Sequence, residues 1–299
     1  MTGDGAGSVF ESARSTPWVD ASGRVTRGHH TIGLTAPGVP RTPGNATPGF
    51  SLIIPAWNEE VRLMKTLLRY IPVLQSSGAP TELIIVTDGS QDRTAEVAAG
   101  CSDSGVRVVR ADNRLGKGGA IRAGIQVARF DRVGFVDADG PVPPEEVIEM
   151  FRELDHFDCV VGSRWLPESR VVNPQPLVRR AFSRAWNLLV RATLGMPLTD
   201  TQCGAKVFRR AAVEHALPNM VVTNWAFDID LLQQIRNSGA TTSEFPVTWS
   251  DDADSRLVIS RAVPAMMMAL LAVRLRTKPL ARRIPQTWRD WYRERWVAG

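Results

Sequence analysis

Two short stretches of the chain decide its fold: ELIIVTDGSQD at residues 82–92 and VGFVDADG at residues 133–140. Each contains a run of apolar, β-branched-rich residues that stops at aspartate and glycine. Such a run is typical of a buried strand that ends in a turn. Because ligands of open α/β sheets bind at the carboxyl ends of the strands, the aspartates at these ends are candidates for a binding site.

Strand-like and helix-like stretches alternate around these two segments. Apolar runs lie at residues 51–55, 82–87, 106–109 and 133–136, and helical patterns follow them at 59–74, 92–99, 117–128 and 144–154. This alternation is typical of βαβ units. The sequence therefore predicts an α/β fold with a doubly wound, mostly parallel sheet flanked by helices.

The two ends of the chain differ in composition from this α/β part. Gly, Pro, Ser and Thr make up 25 of residues 1–49, so we expect a mobile leader outside the fold. Residues 256–299 contain ten Arg or Lys against two acidic residues, a net charge of +8, which leaves −3 for the rest of a chain whose total is +5. The predicted organisation is a leader at 1–49, an α/β domain at 50–255 and a basic amphipathic segment at 256–299.

Composition also excludes several classes of protein. A chain of 299 residues with 43% hydrophobic residues can bury a large core and is neither collagen-like nor wholly disordered. The three cysteines have no close spacing, which argues against a zinc site or a disulfide scaffold. The longest uncharged apolar run has 12 residues, whereas a membrane-spanning helix needs about 20. Since the N-terminus shows no secretory pattern, we expect a cytoplasmic location.

Asp137 and Asp139 stand at i and i+2 after an apolar run, so both side chains leave the same side of the strand. Two neighbouring carboxylates repel each other unless a cation lies between them. Oxygen ligands of this kind suit Mg²⁺ or Mn²⁺, and such an ion could hold a diphosphate. The alternative is a solvated turn, because Asp-Gly is common in turns.

Two further segments carry groups that suit a nucleotide. Asp88 follows an apolar run and could accept a hydrogen bond from a base, while Ser90 or Asp92 caps the next helix. Lys117 lies among glycines at the start of a predicted helix, where backbone N–H groups favour phosphate. The glycine spacing matches neither a dinucleotide fingerprint nor a P-loop.

The order of the motifs resembles one enzyme family. The motifs are PAWNEE (55–60), TDGSQDRT (87–94), NRLGKGGAIRAG (113–124), FVDADG (135–140), VVGSRW (160–165), DTQCGAKVFRR (200–210), NWAFDIDLL (224–232) and PVTW (246–249). Over about residues 50–276 the chain resembles inverting glycosyltransferases with the glycosyltransferase A (GT-A) fold. It is most similar to the polyprenyl-phosphate group, which includes dolichyl-phosphate glucosyltransferase and dolichyl-phosphate mannose synthase. The GKGGAIR and DTQCGAK segments resemble the glucosyltransferase branch.

The resemblance implies roles for particular residues. Those that would hold the nucleotide sugar are Pro55, Asn58, Glu59 and Asp88, with Lys117 approaching the diphosphate. Asp137 and Asp139 would be the Asp-x-Asp motif that binds Mg²⁺ or Mn²⁺. The other implied catalytic residues are Arg164, near the two phosphates, and Asp228, which would position the acceptor or the sugar. The acceptor phosphate would contact Arg179 and Ser183, with Arg180 as an alternative register.

Three positions depart from the family pattern. Trp57 stands where the pattern has tyrosine, and Thr87 where it often has aspartate. Pro141 stands where mannose synthases supply a glutamine ligand, so water or phosphate would complete the metal's coordination shell. The third departure argues against close kinship with the mannose synthases.

The resemblance implies transfer of a hexose from a nucleotide sugar to a polyprenyl phosphate, and we expect glucose from UDP-glucose. The second pKa of a phosphate monoester is about 6, so the acceptor is mostly dianionic at pH 7 and needs no dedicated general base. A GDP-mannose donor and a non-lipid acceptor remain open. A non-enzymatic nucleic-acid-binding protein is disfavoured, because the positive charge is confined to the C-terminal segment.

Two segments have the pattern of helices that lie on a membrane surface. Residues 177–194 alternate arginines with Phe182, Trp186, Leu189 and Val190, and further aromatic residues recur at helical spacing from Trp288 to Trp296. Basic residues beside apolar and aromatic ones suit the headgroup region of a bilayer. We therefore expect a peripheral protein at the cytosolic face of a membrane. The alternative is that these helices pack on the domain.

Overall fold

The computed structural model describes residues 25–27, 30–32, 34–35, 47–173, 177–220, 226–250 and 259–276. Its largest feature is an eight-stranded sheet. Numbered in chain order, the strands lie side by side as β11 (Thr242–Pro246), β8 (Cys159–Ser163), β10 (Lys206–Arg209), β7 (Phe130–Phe135), β4 (Thr47–Ala56), β5 (Thr81–Asp88), β6 (Val106–Ala111) and β3 (Leu34–Thr35). Two small sheets pair β1 (Val25–Arg27) with β2 (His30–Ile32) and β9 (Arg170–Asn173) with β12 (Thr248–Ser250).

Eight α-helices lie among the described residues. They are α1 (Glu60–Gln75), α2 (Thr94–Ala99), α3 (Lys117–Val127), α4 (Pro144–Glu153), α5 (Leu177–Leu194), α6 (Arg210–Ala216), α7 (Phe227–Asn237) and α8 (Ile259–Arg276). The first four follow the strands that the alternating pattern predicts, within a few residues at each end. None of the described helices combines the length and the apolar character that crossing a bilayer requires.

The sheet is mostly parallel, which confirms the predicted fold class. β7, β4, β5 and β6 pair in parallel, as do β11 and β8. β10 lies antiparallel between β7 and β8, so its residues oppose the chain direction of both neighbours. We call the side of the sheet where β4, β5, β6 and β7 end the carboxyl edge, and the side where they begin the amino edge.

The core lies on both faces of the sheet, because successive strand residues point to opposite sides. In β4, Leu52 and Ile54 belong to a buried cluster that includes side chains of α1, α2 and α4, whereas Ile53 belongs to a cluster on the other face with side chains of α3, α5, α6, α7 and α8. All three side chains are fully buried. Burial of each such side chain stabilises the fold by about 1.5–3 kcal/mol. The sheet is therefore covered by helices on both faces.

The ends of the fold differ in part from the predicted organisation. β4 begins at Thr47, and β3 pairs with β6, so described parts of the predicted leader belong to the sheet. At the other end α8 buries Met266, Leu270 and Val273 in the core. Residues 277–299, with the aromatic pattern expected of a membrane-surface helix, lie outside the described residues.

Candidate active site

The loops after β4 and β5 are joined by hydrogen bonds around Asn58. Its backbone adopts a left-handed conformation with φ of 54°, which asparagine tolerates better than most residues. The Asn58 N–H donates to Ser90 Oγ at 3.2 Å, and the Asn58 Oδ1 accepts from the Gln91 N–H at 2.9 Å. Two of the predicted nucleotide-binding loops are therefore held together at the carboxyl edge.

A second group at this edge contains Asp88, Trp57 and Arg114. Asp88 ends β5, is 2% exposed, and accepts a hydrogen bond from the Leu115 N–H. The Arg114 guanidinium lies 3.4 Å from the centroid of the Trp57 ring, within cation–π range. Trp57 is 37% exposed. The indole and Asp88 therefore both contact the segment before α3 that contains Arg114 and Leu115. Pro55 is half-buried inside β4.

Lys117 and Asp137 form an ion pair between two neighbouring motifs. The Lys117 Nζ lies 2.5 Å from the Asp137 Oδ1, and the two side chains are 19% and 30% exposed. Burial lowers the pKa of Lys117, but the charges of Asp137 and Asp228 raise it by more, so the pKa is above its ordinary value. The lysine is therefore a fixed positive charge at the start of α3.

The surroundings of Asp139 disfavour the ionised form of its carboxyl group. Burial and the neighbouring Asp137 raise the pKa of Asp139 to about 7, and the charge of Arg62 opposes this shift. Arg62 itself is bound by both oxygens of Glu59, at 2.7 Å from Nε and 2.6 Å from Nη2. Glu59 therefore holds Arg62 beside the Asp-x-Asp motif.

The donor set fits a hard divalent cation. Carboxylate oxygens are suitable ligands for Mg²⁺ or Mn²⁺, and a bound cation would relieve the repulsion that raises the pKa of Asp139. Within the described part of the chain, no three Asp, Glu, His or Cys side chains are grouped as a metal site. Asp137 and Asp139 would therefore hold the ion together with non-protein oxygens.

The segment from Asp200 to Lys206, which leads into the antiparallel strand β10, borders this site. A Cβ added at Gly204 would lie 2.2 Å from the Asp137 Oδ2, so only glycine leaves room for this carboxylate. The Lys206 Nζ donates to Asp228 Oδ1 at 2.6 Å and to the Cys203 carbonyl at 2.7 Å. Asp228, in the first turn of α7, is therefore held by a lysine that is itself fully buried.

Arg164 lies in a buried ion pair at the end of β8. Its Nε and Nη2 donate to Asp200 Oδ2 and Oδ1 at 2.6 and 2.9 Å, and its backbone N–H donates to the same carboxylate. Burial raises the pKa of Asp200, but Arg164 lowers it by more, so it lies below its usual range. The guanidinium also lies 4.8 Å from the centroid of the Trp249 ring.

Helix α5 borders the same region. Asn187 Oδ1 accepts from both the N–H and the Oγ1 of Thr201, at 2.9 Å each, which ties the helix to the loop that contains Asp200. The Arg184 guanidinium lies 4.8 Å from the ring centroid of Trp165, the residue after Arg164. Arg180 and Ser183 are half-buried on α5. The side chain of Arg179 lies outside the described residues.

The structure thus brings most of the predicted site residues to one edge of the sheet. The loops that contain Asn58 and Asp88 are bonded together, and Lys117 contacts Asp137. Sequence reasoning assigned no role to Asp200, Gly204, Lys206 or Arg62. The DTQCGAK motif was the available signal for the first three, but nothing in its spacing shows which acidic or basic partner each residue meets.

The mostly parallel sheet with β10 inserted antiparallel between β7 and β8 is the GT-A fold that the motifs predict. Residues 51–217 match the model of the family described as glycosyl transferase family 2. The chain belongs to this family.

Curated relatives and solved structures agree with this assignment. Glycosyltransferase AglD of Haloferax volcanii is 32% identical over 228 residues, which are 74% of this chain but only 36% of AglD, so the chain spans about a third of that relative. A dolichyl-phosphate beta-glucosyltransferase of Drosophila melanogaster is 34% identical over 69% of this chain and 68% of its own. Glucosyl-3-phosphoglycerate synthase of Mycobacterium tuberculosis, crystallised with Mn²⁺, UDP and phosphoglyceric acid, has a TM-score of 0.59 at 22% identity over 80% of each chain.

Proposed function

We propose that this glycosyltransferase transfers glucose from UDP-glucose to a polyprenyl phosphate, with Mg²⁺ or Mn²⁺ at Asp137 and Asp139, at the cytosolic face of a membrane. The observation that carries the proposal is the meeting of the Asp137–Asp139 pair with Lys117 at the carboxyl edge. This arrangement offers both signs of charge that a metal-bound diphosphate requires. The similarity to dolichyl-phosphate beta-glucosyltransferases supports the sugar and the acceptor.

The donor would lie along the carboxyl edge. The base would contact the loop around Asp88 and Trp57, and the diphosphate would reach the ammonium of Lys117. A bound divalent ion would act as a Lewis acid that stabilises the charge on the departing nucleoside diphosphate. Lys117 would add a second positive charge at the same leaving group, because its raised pKa keeps it protonated.

In the reaction an oxygen of the acceptor phosphate attacks the anomeric carbon while the bond from that carbon to the donor β-phosphate oxygen breaks. The nucleoside diphosphate leaves with the bonding electrons, and the configuration inverts. Repulsion between the acceptor and donor phosphates must be offset by nearby cations. We assign this role to Arg184, which lies 4.8 Å from the centroid of the Trp165 ring, and to the half-buried Arg180, because Arg164 is already bound by Asp200.

The lipid would approach over α5. This helix exposes an apolar stripe of Val178, Ala181, Ala185, Leu188 and Ala192 at spacings of three and four residues. Val178 and Leu188 are 77% and 67% exposed, and the exposed Arg184 and Arg191 flank the stripe. Apolar residues beside arginines suit the interface of an anionic bilayer. The proposal therefore places α5 on the membrane surface.

The test of the reaction is a panel of donors and acceptors. The full chain is incubated with UDP-glucose or GDP-mannose, with a short-chain polyprenyl phosphate or 3-phosphoglycerate, and with Mn²⁺, Mg²⁺ or EDTA. We expect glucosylated polyprenyl phosphate, detected by mass spectrometry, only with a divalent ion. Transfer from GDP-mannose alone would contradict the donor, and transfer to 3-phosphoglycerate alone would contradict the lipid acceptor.

Flotation with liposomes tests the membrane surface. We expect retention on vesicles that contain anionic phosphatidylglycerol and a several-fold loss of retention in Leu188→Glu. The matched control is Val61→Glu, because Val61 is 70% exposed on α1. Equal retention of the two variants would contradict a role for α5. Retention on nucleic acid instead of vesicles would support the alternative of a nucleic-acid-binding protein.

A further inference from the structure

A lysine is fully buried within the sheet, at a level of burial that is rare for lysine. Lys206 is the first residue of β10 and lies directly opposite Phe135 on β7 and Val161 on β8. Its exposed fraction is 0%, and its Nζ lies 5.4 Å from the centroid of the Phe135 ring. An ammonium in this position is costly unless it is paired and hydrogen-bonded.

The partner of Lys206 leads to the active site. The carboxylate of Asp228 accepts from Lys206 at 2.6 Å. The ring centroid of the preceding residue, Phe227, lies 5.8 Å from the Lys117 Nζ. The Nζ of Lys117 lies 5.9 Å from the centroid of the same Phe135 ring and 2.5 Å from Asp137. Charges of alternating sign therefore run from the core to the carboxyl edge. In order they are Lys206, Asp228, Lys117 and Asp137.

We propose that Lys206 is a positioning residue: by holding the Asp228 carboxylate at the floor of the site, it sets where the Lys117 ammonium stands against the donor diphosphate. The inference rests on the proposed donor chemistry. Lys206 does not touch the substrate, because it is fully buried. It acts through Asp228, whose side chain is 4% exposed, and burial of a carboxylate is costly without a paired cation.

A second buried ion pair, far from the proposed donor site, serves as a control for a merely structural role. Arg107 Nη1 lies 2.7 Å from Glu82 Oε2, and the two side chains are 11% and 4% exposed, but the pair lies at the amino edge. Removal of one partner from either pair leaves a buried charge unpaired and lowers stability. Only loss of Lys206 should also weaken binding of the diphosphate and lower kcat.

The experiment compares Lys206→Met with Arg107→Met. Calorimetry measures binding of uridine and of UDP with Mn²⁺, and steady-state kinetics on the donor and acceptor that the wild type uses give kcat and KM. For Lys206→Met we expect roughly tenfold weaker UDP binding, unchanged uridine binding and a kcat lower by about 10- to 100-fold. Arg107→Met should keep both affinities and kcat while its melting temperature falls.

Asp228→Asn, alone and combined with Lys206→Met, covers the case in which Lys206→Met does not fold. The double variant leaves no buried charge unpaired, so it should fold. Because Lys206 acts through Asp228, the double variant should match the kcat of Asp228→Asn within about threefold. A folded Lys206→Met with wild-type UDP binding, or an Asp228→Asn enzyme with wild-type kcat, would overturn the inference. Since UDP binding needs no acceptor, an incorrect acceptor would leave this result interpretable.

Discussion

Both edges of the sheet contain a buried or half-buried carboxylate beside basic groups, yet the two are compensated differently. At the amino edge Glu82 accepts from Ser51 Oγ at 2.7 Å, from Arg107 Nη1 at 2.7 Å and from the Arg129 N–H. At the carboxyl edge Asp137 is bound by Lys117, while Asp139 beside it has a pKa raised to about 7. Glu82 has all these partners in place and is structural, whereas Asp139 lacks such compensation, as we expect of a carboxylate that binds a cation.

The largest expected effect separates these two carboxylate sites. Asp139→Asn should lower kcat by at least about 10²-fold, because a ligand of the ion that stabilises the leaving group is lost. Glu82→Gln should leave kcat per folded molecule unchanged and cost about 3–5 kcal/mol of stability, because Arg107 loses its counterion. Turnover assays with thermal unfolding measure both. Equal kcat in the two variants would contradict the claim that Asp139 serves catalysis and Glu82 serves only stability.

Arg164→Met tests the Arg164–Asp200 ion pair at the carboxyl edge through the pH dependence of stability. Arg164 holds the folded-state pKa of Asp200 below its usual value, so this carboxylate stabilises the fold above about pH 4 and the stability is lost on acidification. In Arg164→Met the guanidinium is absent and burial raises the pKa of Asp200. The free energy of unfolding of this variant therefore falls as pH rises. We expect the loss of stability of Arg164→Met relative to wild type to grow towards about 3–5 kcal/mol at neutral pH.

Thermal unfolding between pH 4 and pH 8 measures this difference. The control is Arg152→Met, which breaks the exposed pair with Glu149 and should cost at most about 1 kcal/mol. A gap between wild type and Arg164→Met that narrows as pH rises would contradict the assigned ion pair.

Gly204→Ala should have a smaller effect on turnover than Asp139→Asn. The new methyl group would lie 2.2 Å from Asp137 Oδ2 and must displace this carboxylate. We expect kcat to fall by about 10- to 100-fold, because a shift of about 1 Å can cost 10²-fold. Gly100→Ala is the control, since its added Cβ has no contact closer than 3.5 Å. Wild-type kcat in Gly204→Ala would show that Asp137 does not need its observed position.

The smallest effect is expected at Trp57. Trp57→Leu removes the ring that stacks on Arg114, an interaction worth about 0.5–1 kcal/mol at an exposed site, so the donor KM should rise two- to fivefold. Trp57→Tyr retains an aromatic face and should stay within twofold of wild type. Donor titrations at saturating acceptor measure both. A similar KM in the leucine and tyrosine variants would exclude a role for the aromatic ring.

Local sequence patterns predicted the alternating elements and the edge where the motifs meet. The apolar runs ending at Asp88 and Asp137 set both the strands and the position of their acidic residues. The resemblance added roles for residues that these patterns alone left open. The predictions from sequence agreed best with the structure where a motif directly follows its own strand.

The pairs that β10 contributes could not be predicted in this way. Lys206 is buried because β10 enters antiparallel between β7 and β8, and strand direction leaves no mark on local periodicity. Its partner Asp228 lies 22 residues away along the chain. The pairing of Arg164 with Asp200, 36 residues apart, depends on the same insertion. Contacts of this kind arise from the tertiary arrangement of the strands.

The claim that the carboxyl edge binds a diphosphate through a divalent ion is tested most directly by calorimetric titration of UDP. Wild type and Glu82→Gln should bind UDP at least tenfold more tightly with Mn²⁺ than with EDTA, and Asp139→Asn should bind it equally in both. Metal-dependent tightening that persists in Asp139→Asn, or its absence from the wild type, would contradict the claim.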